Sequence, residues 1–450
     1  MKKIGYINQN GEICSFRVAF ITLGCKVNQY ETNMIQKEFE KTGFLVVHEK
    51  ETADVYIVNT CTVTAEADRK SGQMIRRAVR SNRDAIVAAM GCSVEIQKGN
   101  SDAEIAVGTQ NRIAVVQYVI ERLKEKYDDN FFSYDPSDKD AQISYPLSDC
   151  HDKSQNEKSR AYIKIEDGCD LFCSYCIIPY ARGRVKSRPA EEIIKEADIL
   201  ARNGYSEIVL TGIHLCSYGK DLGGNIEMLA DLIESISELE HVSRIRLGSL
   251  EPRSLTEDFI SRISRINKLC AHFHLSLQSG SEEVLKRMNR RYTTEQYREI
   301  VKLLRQYFPC CGLTTDIITA FPAETHKEHV ESLAFCKDIN FSAIHVFPYS
   351  ERKGTKAEQI SPKVSIPEIE NRKKEFLELA NELKTKYAEC WVGRICEVIF
   401  EVQSGHLESG GYSREYVRVN FSGEMQLHAG QIYRVFIEKA EKGELFGKIV

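Results

Sequence analysis

Asp167-Gly168-Cys169-Asp170-Leu171-Phe172-Cys173-Ser174-Tyr175-Cys176 sets three cysteines at C-x₃-C-x₂-C, just after a strand-like alternating run, Ala161 to Glu166. A zinc ribbon needs two separated C-x₂-C pairs, and none is present. A four-cysteine ferredoxin cluster needs a fourth nearby thiolate, whereas the next cysteine, Cys216, is distant in sequence. Three thiolates on an iron–sulfur cluster leave one iron without a protein ligand. Such an open iron can chelate a small molecule, as the open position of a catalytic zinc does. The bland alternative is a buried, metal-free trio. Three cysteines at this spacing on one loop favour the metal.

Length and composition bound the rest. A chain of 450 residues should hold about three domains. At 42% hydrophobic and 28% charged it reads as a soluble globular protein. Its net charge of −4 argues against wholesale electrostatic binding of nucleic acid, so any RNA contact must come from local patches. No apolar run reaches the length of a membrane span, and no membrane contact is expected. Met1 to Phe16 is polar and lacks the apolar core of a secretory signal. Fifteen cysteines without such a signal point to metal or redox chemistry rather than disulfides, in the cytoplasm.

Taken in order, residues 1–17 read as a short leader. Val18 to Leu23 is a buried strand ending at Gly24-Cys25. A helix follows, with Tyr30, Met34, Ile35, Glu38 and Phe39 at helical spacing. Further strands are Phe44 to Val47, Val55 to Asn59 (before Thr60-Cys61), Ala85 to Met90 (before Gly91-Cys92) and Ile105 to Gly108. Helices Ala65 to Arg80 and Arg112 to Tyr127 fall among them. The alternation predicts a parallel sheet. Cys25, Cys61 and Cys92 each follow a strand's carboxyl end, the edge where parallel sheets bind ligands. Three of three on one edge points to a second metal site, with Gly24 and Gly91 letting the backbone pass a bulky cofactor.

Residues 128–158 are polar and breaker-rich, a linker with an extended piece, Phe131 to Tyr134; Cys150 and His151 within it read as solvated. The next domain carries strands Tyr162 to Glu166, Glu207 to Leu210, Arg244 to Leu247, Phe273 to Leu277, Leu313 to Ala320 and Ala343 to Phe347, with helices between. That pattern fits a partial (β/α) barrel whose carboxyl rim gathers the three-cysteine loop, Thr211-Gly212, Ser249 to Glu251 and Gln278-Ser279-Gly280. His272 and His274 share one strand face and read as site-lining or core, with no metal role. Ile366 to Tyr387 reads as an amphipathic connector helix. Short strands after it, punctuated by glycines, predict a small antiparallel β-barrel. The fold class is therefore α/β: a parallel α/β domain at 17–127, linker 128–158, partial barrel 159–385 and β-barrel 386–450.

C-x₃-C-x-aromatic-C, with Tyr175 before the last cysteine, resembles the radical S-adenosylmethionine (SAM) enzymes. In that family the open iron binds the methionine end of SAM, and an electron from the cluster yields a 5′-deoxyadenosyl radical. Leu23-Gly24-Cys25-Lys26-Val27-Asn28-Gln29-Tyr30-Glu31-Thr32, Asn59-Thr60-Cys61-Thr62-Val63-Thr64 and Gly91-Cys92 resemble the amino-terminal domain of methylthiotransferases, and the final barrel resembles their TRAM domain. The resemblance implies two 4Fe-4S clusters. One is on Cys169, Cys173 and Cys176 and binds SAM. The other, auxiliary, is on Cys25, Cys61 and Cys92 and holds the sulfur to be inserted.

Glu66 to Lys70, Pro179 to Arg184, Thr211 to Leu215 and Arg246 to Pro252 are similar to enzymes acting on N6-threonylcarbamoyladenosine in tRNA. The implied product is its 2-methylthio derivative, beside the anticodon. Isopentenyladenosine in tRNA and a ribosomal-protein aspartate are the family's other acceptors. Ala323, where glycine is usual, and Ser93, where an aromatic is common, depart from the pattern without removing a cluster ligand. By position, Thr211 is assigned to the methionine end of SAM, Ser249 and Glu251 to its ribose, and Gln278 nearby.

Arg182 and Arg184, with Lys186 and Arg188, are expected to meet tRNA phosphates, and Arg76, Arg77, Arg80 and Arg83 form a weaker candidate patch. No acid, base or nucleophile is named, because the cofactor supplies the chemistry. The expected partners are tRNA and an electron donor such as a flavodoxin or ferredoxin, with the protein a monomer. The rival class is a noncatalytic iron–sulfur or zinc protein that binds RNA through its last domain; two trios that each lack a fourth cysteine favour the enzyme.

Overall fold

In the computed structural model of the protein, residues 3–9, 11–98, 101–134, 159–401, 409–422 and 427–450 are described. Contacts divide the chain into two units, Met1–Asp152 with Cys176–Gly183, and Lys153–Tyr175 with Arg184–Val450.

The first unit begins with the antiparallel strands β1 (Lys3–Ile7) and β2 (Ile13–Cys14). β3 (Arg17–Thr22), α1 (Lys26–Lys41), β4 (Leu45–Val47), β5 (Val55–Thr60), α2 (Ala65–Ser81), β6 (Ile86–Gly91), α3 (Cys92–Ile96), β7 (Ile105–Val107), α4 (Ala114–Tyr127) and β8 (Phe131–Tyr134) follow. β3 to β7 form one parallel sheet in the order β4-β3-β5-β6-β7. β5 and β6 are buried at every position, which is why they read as unbroken runs rather than alternating ones. Ile35 and Phe39 of α1 join Val119 and Leu123 of α4 over one face, while Ile75 and Ala78 of α2 cover the other. This is the doubly wound arrangement expected of alternating strands and helices.

Two expectations are corrected here. Residues 1–17 are not a bare leader: β1 pairs with β2 and also with β8. Tyr127 and Phe131 pack their rings on Phe16, at 5.0 and 6.0 Å. The stretch Phe131 to Tyr134 thus belongs to this unit rather than to a linker, and Cys150 and His151 lie outside the described residues.

The chain continues through β9 (Arg160–Lys164), β10 (Glu166–Asp167), α5 (Ile178–Arg182, part of the first unit), β11 (Lys186–Ser187), α6 (Ala190–Arg202), β12 (Glu207–Thr211), α7 (Glu227–Ser237), β13 (Arg244–Leu247) and β14 (Ser249–Leu250). Then come α8 (Glu257–Ser264), β15 (His272–Leu275), α9 (Glu282–Arg287), α10 (Thr294–Tyr307), β16 (Gly312–Thr319), α11 (His326–Ile339), β17 (Ala343–Pro348) and α12 (Ile366–Glu389). The parallel strands form two sheets, β9-β12-β13 and β14-β15-β16-β17. A parallel bridge from Ile245 to Leu269 brings them edge to edge. The result is an open (β/α) barrel. Its core lies between strands and helices, with Phe273, Leu275, Leu313, Ile317 and Ile344 against Val301, Leu304 and Ile339. α12 is no mere connector: Phe376, Leu379, Ala380 and Leu383 enter that same core.

β18 (Ile395–Glu401), β19 (Ser409–Ser413), β20 (Arg418–Ser422), β21 (Ile432–Glu441) and β22 (Glu444–Ile449) close a small barrel. One of its pairings, β20 with β22, is parallel, so the expected all-antiparallel barrel is corrected. Its β19–β20 turn seats on the strand-starting edge of the large barrel. Arg246 donates to the Ser413 and Arg414 carbonyls at 3.2 and 3.0 Å, and Arg244 donates to the Tyr412 carbonyl at 3.5 Å. The Tyr416 ring stacks on His272 at 4.7 Å and lies under the Arg246 guanidinium at 4.8 Å. Beneath this turn, Glu207 holds Arg246 through two hydrogen bonds of 2.7 and 3.0 Å. Burial alone would raise the Glu207 carboxyl; the guanidinium of Arg246, helped by those of Arg160 and Arg244, outweighs it and holds the group below the usual carboxylate range.

Candidate functional site

In the first unit, β3, β5 and β6 are neighbours in the sheet, so their carboxyl ends lie side by side. Cys25 caps the start of α1, Cys61 follows β5 directly, and Cys92 opens α3 directly after β6. The structure thus brings the three sequence-distant cysteines to one rim. Gly24 and Gly91 make the approach sterically feasible. Their φ angles are +97° and +103°, and a Cβ at Gly24 would lie 2.7 Å from the Cys61 sulfur, one at Gly91 2.6 Å from Asn59 Oδ1. Asn28 ties the strand ends together, donating to the Leu23 and Thr60 carbonyls at 2.7 and 3.0 Å. Asn59 returns a bond to the Asn28 carbonyl at 2.9 Å.

Arg182 is the residue whose place differs most from its sequence reading. Its side chain is 1% exposed, so the expected phosphate contact is corrected. Nε donates to Cys92 Sγ at 3.2 Å, Nη1 to Glu31 Oε1 at 2.9 Å, and Nη2 to Asn28 Oδ1 at 2.7 Å. Glu31 also pairs with Arg112 at 3.2 Å. Burial pushes the Cys61 thiol up to about 11, and burial likewise raises Cys92 against the pull of Arg182 and Arg112. Thiols held protonated in this way become ligands when a metal displaces the proton, and the two guanidiniums stabilise the resulting thiolate charge. Three sulfur donors on one rim, Cys61 and Cys92 buried and Cys25 exposed, with a cationic second layer fit an iron–sulfur cluster.

Glu31 had a legible signal. It occupies the buried stripe Val27, Glu31, Ile35, Phe39 of α1, and a carboxylate on an apolar stripe implies a buried partner. The expected stripe was rotated from this one, for Met34 is exposed.

The three-cysteine loop follows β10, with Cys169 and Cys173 in the second unit and Cys176 in the first. Cys169 is buried, and burial pushes its thiol up to about 11. The turn before α10 cradles the loop. Asn289 donates to the Phe172 carbonyl at 3.0 Å, Ser174 donates through N to the Met288 carbonyl at 2.9 Å, and Arg290 donates to Cys173 Sγ at 3.4 Å. Tyr175 meets Phe321 edge-on at 6.5 Å, anchoring the aromatic position of the motif. Arg184 remains exposed, stacked 4.8 Å over Phe172 and paired with Asp170 at 3.2 Å. Arg188 is instead held to Glu196 at 2.8 Å, and Arg76 to Asp102 at 3.1 Å.

The residues assigned to SAM by position fall at strand ends: Thr211 closes β12, Ser249 opens β14, Glu251 follows it, and Gln278 lies beyond β15. Thr211, Glu251 and Gln278 are buried and Ser249 is exposed. Gln278 has φ +72°, and Glu251 accepts from Ser254 Oγ at 3.1 Å.

Sequence reasoning missed Glu166. Its carboxylate accepts the His214 N–H at 2.5 Å, and burial pushes it up to about 8. Its folded pKa thus exceeds its unfolded value of about 4.5. The stabilising contribution is complete below pH 4.5 and is lost as pH climbs to about 8. The wild-type protein should therefore lose on the order of a few kcal/mol over that window. Denaturant unfolding of Glu166→Gln should show a flatter pH profile. An identical profile would refute this.

The open parallel barrel with a three-cysteine loop on its carboxyl rim defines a radical SAM fold. Residues 163–336 match the Radical SAM superfamily and residues 17–109 match Uncharacterized protein family UPF0004. The chain is 38% identical over 432 residues to threonylcarbamoyladenosine tRNA methylthiotransferase MtaB of Bacillus subtilis (strain 168), covering 94% of each chain. It is 34% identical over 440 residues to tRNA-2-methylthio-N(6)-dimethylallyladenosine synthase of Clostridium botulinum (strain Hall), covering 95% of each. The radical SAM methyltransferase TsrM of Kitasatospora setae, solved with tryptophan and a SAM analogue, shares the fold at TM-score 0.52 and 14% identity, over 74% of this chain and 73% of that one. The chain belongs to the radical SAM tRNA methylthiotransferases. Membership implies SAM and a 4Fe-4S cluster. Among the described residues no helix is long and apolar enough to cross a membrane.

Proposed function

We propose that the protein installs a 2-methylthio group at C2 of N6-threonylcarbamoyladenosine beside the tRNA anticodon. The observation that carries this reading is 38% identity along 94% of the chain to a relative of that name. An adenine C2–H bond is too strong and too nonacidic for a side-chain base, and SAM with its cluster, when bound, supplies the one-electron chemistry that breaks it. Cys169, Cys173 and Cys176 would hold that cluster, and Thr211, Ser249, Glu251 and Gln278 would contact SAM. Arg290 and Asn289 keep the loop in shape.

Cys25, Cys61 and Cys92 would hold the auxiliary 4Fe-4S cluster. Arg182 orients Cys92 and, with Arg112, keeps Glu31 paired in the dry interior. Arg184 is the phosphate contact we retain, because it stays exposed. A flavodoxin- or ferredoxin-type donor, a monomeric state and a cytoplasmic place complete the proposal. The 34% relative of equal coverage favours dimethylallyladenosine as the second reading. Mass spectrometry of tRNA nucleosides from cells lacking the gene decides. Loss of 2-methylthio-N6-threonylcarbamoyladenosine is expected, and loss of the dimethylallyl analogue alone would transfer the assignment.

A further inference from the structure

On β15 to β17, residues on the helix-facing side enter the core, whereas His274, Asp316 and His345 belong to the opposite, concave side. Asp316 and His345 are direct cross-strand partners, and His274 is the cross-strand partner of Thr314, two residues before Asp316. One ligand atom from each of His274, Asp316 and His345 lies within 4.8 Å of the others. His274 Nε2 is 3.3 Å from Asp316 Oδ2. Its Nδ1 lies 3.0 Å from Thr314 Oγ1, and that hydroxyl also meets His272 Nε2 at 3.1 Å. The Thr314 contact fixes the ring and leaves Nε2 turned toward the carboxylate, as an outer-layer partner does for a metal-bound imidazole.

We propose that His274, Asp316 and His345 form a mononuclear site for a divalent first-row transition metal, separate from both cysteine trios. Two imidazoles and one carboxylate are a donor set for zinc or ferrous iron. Three protein ligands leave coordination positions open on the concave side, where water or an oxygen anion such as a carboxylate can bind. A plain His274–Asp316 ion pair would account for two of the residues. His345, whose ring lies 6.0 Å from that of His274, adds the second imidazole within ligand range.

The test is equilibrium dialysis against zinc of the full-length protein with its iron–sulfur clusters reconstituted, iron and zinc being counted separately. Filled clusters keep zinc off the six cysteines of the two trios, and the two variants separate the His274–Asp316–His345 site from any zinc on the others. One zinc per chain is expected, and His345→Ala and Asp316→Asn should each weaken zinc binding by at least about tenfold with iron unchanged. His345 is exposed, so its alanine variant should keep the wild-type melting temperature. Equal zinc in the wild type and in both variants, or no zinc in the wild type, overturns the site.

Discussion

Replacing Cys25, Cys61 and Cys92 together by alanine is expected to lower iron from about eight to about four per chain. Reductive SAM cleavage should survive, while methylthiolated product falls below detection. Cys61 and Cys92 are buried at neighbouring strand ends, and Arg182, which loses its Cys92 acceptor, keeps Glu31 and Asn28, so the sheet should persist. The remaining four irons should follow Cys169, Cys173 and Cys176, in a loop where Asn289 holds the Phe172 carbonyl and Arg290 the Cys173 sulfur. Iron that stays at the wild-type level in the triple variant would remove the auxiliary cluster from this rim.

Glu207→Gln should be the most destabilising single change outside the cysteines. Glu207 is fully buried, and Arg160, Arg244 and Arg246 all act on it. Neutralising it leaves Arg246, 1% exposed, without its carboxylate. Breaking a buried pair from one side costs roughly 3–5 kcal/mol. Because Arg246 also holds the Ser413 and Arg414 carbonyls, the loss should loosen the terminal barrel first. Urea unfolding should show the drop, and limited proteolysis should clip earlier after α12. A loss below about 1 kcal/mol would mean the arginines find other partners.

Much of this architecture was legible because parallel strands buried on both faces announce themselves locally: β5 and β6 need no partner to be recognised. The gathering of Cys25, Cys61 and Cys92 on one rim was legible because strand ends predict where a rim lies. What failed depended on distant residues. β1 is recognisable only beside β8, far along the chain. β19 contains Gly410-Gly411, which reads as a turn, yet those glycines pair with Phe400 and Glu401. Arg182 looked like one of four exposed cations because the sequence shows a charge run and hides the carboxylate that ends it, Glu31. His345 escaped notice since only the cross-strand register sets it beside Asp316.

The membership of Cys176–Gly183 in the first unit governs how the chain can be made and cut. A fragment ending at residue 152 would lack Arg182, leaving Glu31 and Asn28 short of their guanidinium and Cys92 without its donor. During synthesis, likewise, the amino-terminal sheet waits for residue 183 to leave the ribosome before its rim is complete. The two units are thus discontinuous in sequence, and no single scission can deliver both intact.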